Sequence, residues 1–504
     1  MTKGEVERGR WPMRQLPASW SWAEFATVFE NVTSSDRKLK QEQYAAIGRF
    51  PVVDQGSDLI GGFTDDEGLV HPDDPPFLVF GDHTRCLKYV DTPFVQGADG
   101  VKVLKVRGIE SRYALWALRT LRLPDRGYSR HFQFLRNSEF PIAPPPEQLR
   151  IVAKIEELFS DLDAGVAALE RVKAKLKRYR AAVLKAAVEG RLTAEWRRSH
   201  PATEPADKLL ERILADRRRK WEEAQLRKFA EVGKAPPKGW KEKYKHPALA
   251  DTGSLHQLPK GWAWAIADQL CSQVTDGEHI QPPYQPSGKP MLTATHVRDD
   301  GVRFENVGLI AEDNFQKCLK RCAPMEGDLL IVSVGATTGR AAVVGPSEPF
   351  AIVRSVLLLK PLILSKYLLR WVQSPWCHQW IGRASGASAQ AHFYISDAKR
   401  MPAPLPPASE LSEIVAEVDR RVSVVEAVEA EVEHGLKRAA RLRQAILKLA
   451  FAGKLVPRDP ADEPASKLLE RIRAQRAEEN HKGPGSGRRK PRTAHTRRRA
   501  RTVG

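Results

Sequence analysis

Cysteine is scarce in this chain, whose 504 residues include five. They are Cys86, Cys271, Cys318, Cys322 and Cys377. Thiols this few and scattered argue against a disulfide framework and favour a reducing compartment. The third and fourth stand four residues apart, but no second ligand pair follows at zinc-site spacing. We therefore predict neither a metal site nor a bound cofactor in this chain.

Long apolar runs are missing as well. No stretch approaches the ~20 apolar residues that cross a bilayer, and the first residues, Met1–Glu5, lack the apolar core of a signal peptide. The phosphate-binding pattern Gly-x-x-x-x-Gly-Lys-Ser/Thr is also absent, which places ATP chemistry of that type elsewhere. We expect a cytoplasmic protein with no membrane partner.

Acidic residues are outnumbered, with 62 Asp and Glu against 81 Lys and Arg, a formal net charge of +19. This excess indicates a polyanionic partner, nucleic acid before membrane. Much of it lies in residues 480–504, which hold nine Lys or Arg and no acid, so the rest carries about +10. We expect residues 477–504 to be a disordered tail, either merely solvated or serving as a non-specific DNA arm.

The most informative feature is an internal repeat with a very long period. The sequence EPADKLLERI at 204–213 returns as EPASKLLERI at 463–472. Other matched pairs are Trp20 and Trp22 with Trp262 and Trp264, Ile151-Val152 with Ile414-Val415, and Gly190-Arg191-Leu192 with Gly453-Lys454-Leu455. The order of modules is globular, helical, globular, helical.

Each helical module carries heptad-spaced apolar residues, the pattern of a coiled-coil seam. In the first copy these are Ile151, Ile155, Leu158, Leu162, Leu169, Val172, Leu176, Tyr179 and Val183. In the second they are Ile414, Val418, Val425, Val428, Val432, Leu442 and Ile446. Pro144-Pro145-Pro146 precedes the first helix, and Gly190 stands where a C-cap is expected. Two matched helices favour packing on each other over packing of each on its own domain.

The globular modules contain short apolar runs separated by Gly, Asp and Pro turns, which predict strands in mixed α+β domains. The runs are Phe77–Phe80, Val101–Val106, Asp328–Val334 and Val356–Leu359. Residues 217–257 are highly charged and are interpreted as helix followed by linker.

This layout resembles the specificity subunits of type I restriction–modification systems over nearly the whole chain before the tail. The matching motifs are Leu258-Pro259-Lys260-Gly261-Trp262, Thr275-Asp276-Gly277-Glu278-His279, Gly327–Ile331, Gly335-Ala336-Thr337-Thr338-Gly339-Arg340, Pro404–Pro407 and Pro144–Val152. The first globular module lacks the Thr-Asp-Gly-x-His and Gly-x-Thr-x-Gly-Arg elements. Two domains that read different DNA sequences would differ in this way.

The resemblance implies an α+β protein in which two target-recognition domains alternate with two long helices that pair as an antiparallel coiled coil, in a pseudo-twofold repeat. The implied segments are 1–147 and 258–407 for the two target-recognition domains, 148–216 and 408–476 for the helical spacer regions, 217–257 for a charged helix and linker, and 477–504 for the tail. It also implies a non-catalytic subunit that binds a bipartite site in double-stranded DNA. Its partners would be methyltransferase (M) and restriction/translocase (R) subunits.

A target-recognition domain needs side chains that reach base edges, with Lys and Arg on phosphates. The candidates in the second domain are His279, Thr337, Thr338, Arg340, Gln390 and His392. Those in the first are Gln55, Ser57, His83, Arg85, Lys88, Arg130 and His131. An ordinary role stays open for each: His279 beside Glu278 fits a hydrogen-bonded surface pair, and the two threonines fit a turn between strands.

The rival enzyme hypothesis is a DNA adenine N6-methyltransferase. Asp74-Pro75-Pro76-Phe77 matches the Asp/Asn-Pro-Pro-Tyr/Phe signature, in which the aromatic ring stacks on a flipped base. No glycine-rich loop for S-adenosylmethionine precedes it, and Asp74 fits a turn before a strand. A purely structural coiled-coil protein is a third alternative, which the basic, strand-rich domains disfavour.

Overall fold

A computed structural model describes residues 8–13, 15–127, 129–201, 203–253, 255–386 and 392–481. The chain forms two compact units, residues 1–169 with 434–504, and residues 170–433. The division falls inside two long helices, Pro145–Val188 and Ala408–Phe451. Each unit therefore contains one globular region and a part of both long helices.

The first unit is built on two four-stranded sheets. The antiparallel sheet has the spatial order Phe29–Asn31, Val101–Val106, Phe77–Gly81, Leu87–Val90. The mixed sheet has the order Lys38–Leu39, Val95–Gly97, Phe50–Val53, Gly62–Thr64. A further antiparallel pair joins Ser21–Glu24 to Glu139–Ile142. Short helices are Phe25–Val28, Ser111–Thr120, Phe132–Arg136 and Ala465–His481.

The second unit has an antiparallel sheet with the corresponding arrangement of strands. Its order is Cys271–Asp276, Val356–Pro361, Leu329–Val332, Ala341–Val343. A three-stranded sheet has the order Gly308–Ile310, Lys289–Leu292, Ala351–Ile352, and the paired strands are Val297–Arg298 with Gly301–Val302 and Ala263–Ile266 with Pro402–Leu405. Helices are Ala194–Ser199, Ala206–Glu231, Ala267–Leu270, Glu312–Arg321, Ser365–Val372, Pro375–Ala384 and Ile395–Arg400.

The predicted strands form where the apolar runs lie. Leu329–Val332 is buried at all four positions because it is a central strand, with neighbours on both sides and cover on both faces. The structure begins this strand one residue later than the predicted Asp328 and ends it at Val332. Mixed helix and sheet, as predicted, is thus the coarse architecture of each unit.

In the first unit, the beginning of the first long helix packs on the end of the second. Ile151, Ile155 and Phe159 share a core with Leu447 and Phe451. Farther along, Asp163 pairs with Arg443 and Leu169 approaches Gly435. Residue numbers rise along one helix while they fall along the other.

In the second unit the end of the first long helix packs on the beginning of the second. Val183 and Leu184 share a core with Ile414 and Val418. Arg180 pairs with Glu429 at 3.0 Å. Residue numbers again run in opposite directions.

The predicted heptad seam is wrong in part. Val172, Tyr179, Val428 and Leu442 are exposed large apolar side chains rather than members of a core. A straight helix with 3.6 residues per turn drifts about 20° per heptad away from a 3.5-residue repeat. A seam extrapolated over so many turns therefore leaves the contact face.

The helix ends also differ from expectation at one point. The first long helix begins at Pro145, so Pro145 and Pro146 lie in its first turn instead of before it. Proline is tolerated there because first-turn N–H groups have no helical partner. At the other end, Gly190 adopts φ +67°, and a methyl group on it would lie 2.5 Å from Pro259 Cγ. Glycine is required by both conformation and space.

Candidate nucleic-acid interface

In the first unit, candidate residues gather where the strand Phe77–Gly81 turns into Leu87–Val90. The His83 N–H donates to Gln55 Oε1 at 3.4 Å, and Thr84 Oγ1 donates to the Gln55 carbonyl at 2.6 Å. Arg85, at φ +61°, pairs with Asp125 across 3.2 Å. The turn therefore brings Gln55, His83 and Arg85 together from segments about 30 residues apart.

Two other candidates in this unit are exposed near the same turn. Ser57 follows Gln55 on the loop after Phe50–Val53. Arg130 precedes His131, whose N–H donates to the Asp82 carbonyl at 2.9 Å. The Asp82 contact holds the Arg130 segment against the turn that carries His83.

Lys88 and His131, predicted as DNA contacts, lie inside the fold, where the two residues are 5% and 1% exposed. Lys88 Nζ lies 3.3 Å from Asp54 Oδ1, and His131 Nδ1 lies 3.1 Å from the Asp82 carbonyl. Through these contacts Lys88 holds the segment that contains Asp54, and His131 holds the turn that contains Asp82. Tyr44 is close to Asp54, and burial together with the charge of Asp54 raises the pKa of the Tyr44 hydroxyl to about 12.

In the second unit, His279 follows the strand Cys271–Asp276. Its Nε2 lies 2.9 Å from Asp276 Oδ2, and Asp276 Oδ1 accepts from Arg321 at 2.7 Å. Arg321 Nε also donates to the Gly277 carbonyl. Arg321 Nη2, which can only donate, also lies 2.8 Å from His279 Nε2, so the tautomer of the ring decides whether Nε2 donates to Asp276 or accepts from Arg321. The imidazole is held in position while its side chain stays 47% exposed.

The two threonines lie in the turn between Leu329–Val332 and Ala341–Val343. Thr338 Oγ1 donates to the Gly335 carbonyl at 2.7 Å, so this hydroxyl already serves the turn. Thr337 is half-buried, and its carbonyl accepts from the Arg340 N–H at 3.0 Å. This turn occupies the same place in its sheet as the turn that carries His83 and Arg85 in the first unit.

Arg340 lines a cleft of about 660 Å³ in the second unit. The cleft is rich in both charges, and its lining includes Arg180, Arg298, Arg303, Arg370, Asp299, Asp300, Glu305 and Glu426. Three of these arginines form ion pairs with carboxylates. Among the described residues, Arg298 and Arg340 form none.

His392 forms a bridge with Val334, at the base of the threonine turn. Its ring stacks on Tyr394 with centroids 4.1 Å apart. Neither ring nitrogen has a hydrogen-bond partner in the part of the chain that the structure describes. Gln390, predicted beside it, lies outside the described residues.

The sequence reasoning missed Asp54, Asp82, Asp276 and Arg321, which position the candidate readers. Asp276 was visible in its motif, but Arg321 is 45 residues away and ends the helix Glu312–Arg321. One feature of the sequence could have indicated these positioning residues: an aspartate comes directly before two of the candidate readers, Asp54 before Gln55 and Asp82 before His83.

The methyltransferase motif is not available for base stacking. Phe77 is 1% exposed, and its ring packs on Phe94 and His71 with centroids 5.6 and 4.7 Å away. An aromatic ring enclosed in a sheet core cannot receive a flipped base. This geometry contradicts the enzyme alternative at Asp74–Phe77.

The two cysteines that stand four residues apart, Cys318 and Cys322, lie in the second unit. Cys318 and Cys322 are buried, and burial raises the pKa of the Cys322 thiol to about 12. No cluster of three or more His, Cys, Asp or Glu is arranged as a metal site in the described ranges. No described helix combines the length and apolar character needed to span a bilayer.

The chain is similar in sequence to specificity subunits of type I restriction enzymes. No protein-family model matches it. It is 27% identical over 362 residues to the type I restriction enzyme EcoBI specificity subunit of Escherichia coli, across 68% of this chain and 65% of that protein. It is 23% identical over 393 residues to the EcoDI specificity subunit of Escherichia coli, across 73% and 77%. The chain thus spans about 65% of the length of the first relative.

The fold agrees with this similarity. A chain in a solved structure that concerns complex assembly and conformational transition of the type I R-M system matches with a TM-score of 0.53 at 18% identity. The match covers 88% of this chain and all of the other. The resemblance inferred from the repeat and its junction motifs is confirmed: the chain is similar in sequence to the specificity subunits of type I restriction enzymes.

Proposed function

We propose that this chain is the non-catalytic subunit that gives a type I restriction–modification complex its DNA specificity. It binds double-stranded DNA at a bipartite site, and each target-recognition domain reads one half. The observation that carries the proposal is that both units present polar side chains from the same turn of the same kind of sheet, around His83 and Arg85 in one and Thr337 and Arg340 in the other.

The reading residues form two groups. In the first domain they are Gln55, Ser57, His83, Arg85 and Arg130, of which the arginines suit phosphates or guanine. In the second they are His279, Thr337, Arg340, His392 and Gln390. Thr338 is better explained as part of its turn, since its hydroxyl donates to Gly335.

The two long helices form an antiparallel coiled coil that acts as the spacer between the half-sites. The contacts between the helices support this arrangement, because in each unit residue numbers rise along one helix while they fall along the other. Asp163 pairs with Arg443 in the first unit, and Arg180 pairs with Glu429 in the second. The pseudo-twofold repeat suits a bipartite site. The segment boundaries 1–147, 148–216, 217–257, 258–407, 408–476 and 477–504 define its modules.

The partners are M subunits, which supply the methylation chemistry, and R subunits, which translocate and cut. Exposed apolar side chains on the long helices support a docking role there, since Tyr179 is 48% and Val424 60% exposed in the second unit. The location that suits this partnership is the cytoplasm.

Methylome sequencing of cells that carry the M subunit, with and without this gene, tests the function. We expect a two-part motif with methylated adenines that disappears when the gene is deleted. Unchanged methylation after deletion would refute the proposal. A purified chain that binds S-adenosylmethionine stoichiometrically would refute the non-catalytic role.

A further inference from the structure

A short loop in the second unit holds a large apolar side chain out in solvent. Ile280 is 82% exposed, directly after His279 and in an otherwise polar stretch that begins at Glu278. Single exposed apolar residues are common on protein surfaces. This one differs because the structure fixes the backbone on both sides of it.

Glu278 fixes the loop on the N-terminal side. Its carboxylate Oε1 accepts from the backbone N–H groups of His279 and Ile280 at 3.0 and 3.3 Å. Its own N–H donates to the Ile352 carbonyl, and its carbonyl accepts from the Arg354 N–H, both at 2.9 Å. The residue is therefore fastened to the sheet edge while it caps the turn that carries Ile280.

The other side of the loop is fixed by prolines and a ring. Pro282 and Pro283 restrict the backbone directly after Gln281. The Tyr284 ring lies over Gly308, where a methyl group would approach Tyr284 Cε1 to 2.2 Å, and the Gln285 N–H donates to the Leu309 carbonyl at 2.8 Å. These contacts hold the backbone on both sides of Ile280 in place.

The neighbouring groups indicate what the side chain contacts. His279 is positioned by Asp276 and Arg321 as a polar reader, and Ile280 stands beside it. In the major groove of DNA, the one apolar group that distinguishes a base pair is the C5-methyl of thymine. We propose that Ile280 contacts the C5-methyl group of a thymine in the half-site that the second domain reads, next to the base pair that His279 contacts. The inference rests on the proposed function.

The test replaces single thymines of that half-site by 2′-deoxyuridine, which removes only the methyl group. Binding of each duplex to the full chain, assembled with its M subunits, is measured by fluorescence anisotropy. We expect one position at which uracil weakens binding about fourfold, the loss that corresponds to one buried methyl group. The variant Ile280→Ala should bind the thymine and uracil duplexes equally.

Leu249→Ala is the matched control, because Leu249 is 86% exposed in the same unit but lies outside the loop. It should keep the wild-type preference for thymine. Wild-type tolerance of uracil at every position, a half-site without any A·T pair, or a preference that survives in Ile280→Ala would overturn the inference. The inference would also be overturned if Ile280→Ala weakened binding to the thymine duplex and to every uracil duplex by the same factor. A complex that prefers no sequence would instead contradict the proposed function.

Discussion

The indole Nε1 of Trp262 donates to the buried carboxylate of Glu410 at 2.9 Å. In the first unit the Trp20 indole donates to Glu147 at 3.0 Å, at the matching point of the repeat. The surroundings of the two carboxylates differ. Glu410 also accepts from Thr193 Oγ1 at 2.7 Å and pairs with Arg197 at 3.3 Å. Glu147 Oε1 has no partner among the described residues.

Because of this difference, replacement by glutamine should have opposite effects on protein stability at Glu147 and at Glu410. Burial raises the pKa of Glu147, so the folded first unit binds that proton more tightly than the unfolded chain does. Its unfolding free energy therefore falls as the pH rises through the unfolded and then the folded pKa. Glu147→Gln should stabilise the protein at pH 8 by roughly 1 kcal/mol, and the gain should shrink toward pH 4.

Glu410→Gln is the matched comparison and should destabilise the second unit by about 1–3 kcal/mol, because the new amide faces donors and Arg197 loses its partner. Differential scanning calorimetry at several pH values follows both variants. Equal destabilisation by the two substitutions would contradict the different roles assigned to these glutamates.

Arg85 and Lys88 are three residues apart and should affect different properties. Arg85 has a 38% exposed side chain and a surface ion pair, so Arg85→Gln should weaken DNA binding several-fold with a stability change under about 1 kcal/mol. Lys88→Met leaves the largely buried Asp54 without its partner and should cost roughly 2–4 kcal/mol of stability. Anisotropy and urea unfolding separate the effects. A stable Lys88→Met protein with weak DNA binding would return Lys88 to the interface.

Exchange of residues 258–407 for the matching domain of a relative should change one half of the recognised motif. The exchanged segment contains both strands of the pair Ala263–Ile266 with Pro402–Leu405. Both partners of this pair therefore come from the same protein after the exchange. Methylome sequencing identifies the new motif, and a graft of the chain's own segment through the same junctions is the control. If both halves change, the two domains do not read DNA independently.

The coiled-coil proposal predicts the length of the spacer. One heptad added to each long helix, beside the contact of Leu169 with Gly435, restores the pairing on both sides and adds ~10 Å. At ~3.4 Å per base pair, the spacer should lengthen by roughly three while both half-sites stay the same. Four residues added to each helix break the heptad phase and form the control. An unchanged spacer in an active variant would show that other contacts set the distance.

The positions of the long helices and of a buried strand are what the sequence predicted well, although part of the heptad seam is exposed. The long helices and the buried strand at Leu329–Val332 follow from apolar spacing, which is a local property. Burial of polar residues depends on partners remote in sequence, and here prediction failed. Lys88 is inside because Asp54 meets it across 34 residues, and the candidate reader His279 is oriented by an arginine 42 residues away. No spacing rule links such pairs.

The composition of the first unit has a consequence for synthesis of the chain. Its core joins Trp20 and Tyr113 to Leu447, Phe451, Leu468 and Ile472. Roughly 300 residues separate Leu169 from Ile472, and a ribosome that adds about 5–20 residues per second needs about 15–60 s to make them. During that interval the first domain presents an unfinished apolar face. The second unit, whose residues are continuous from 170 to 433, completes its core first, so the domain that is translated earlier is the one that finishes folding later.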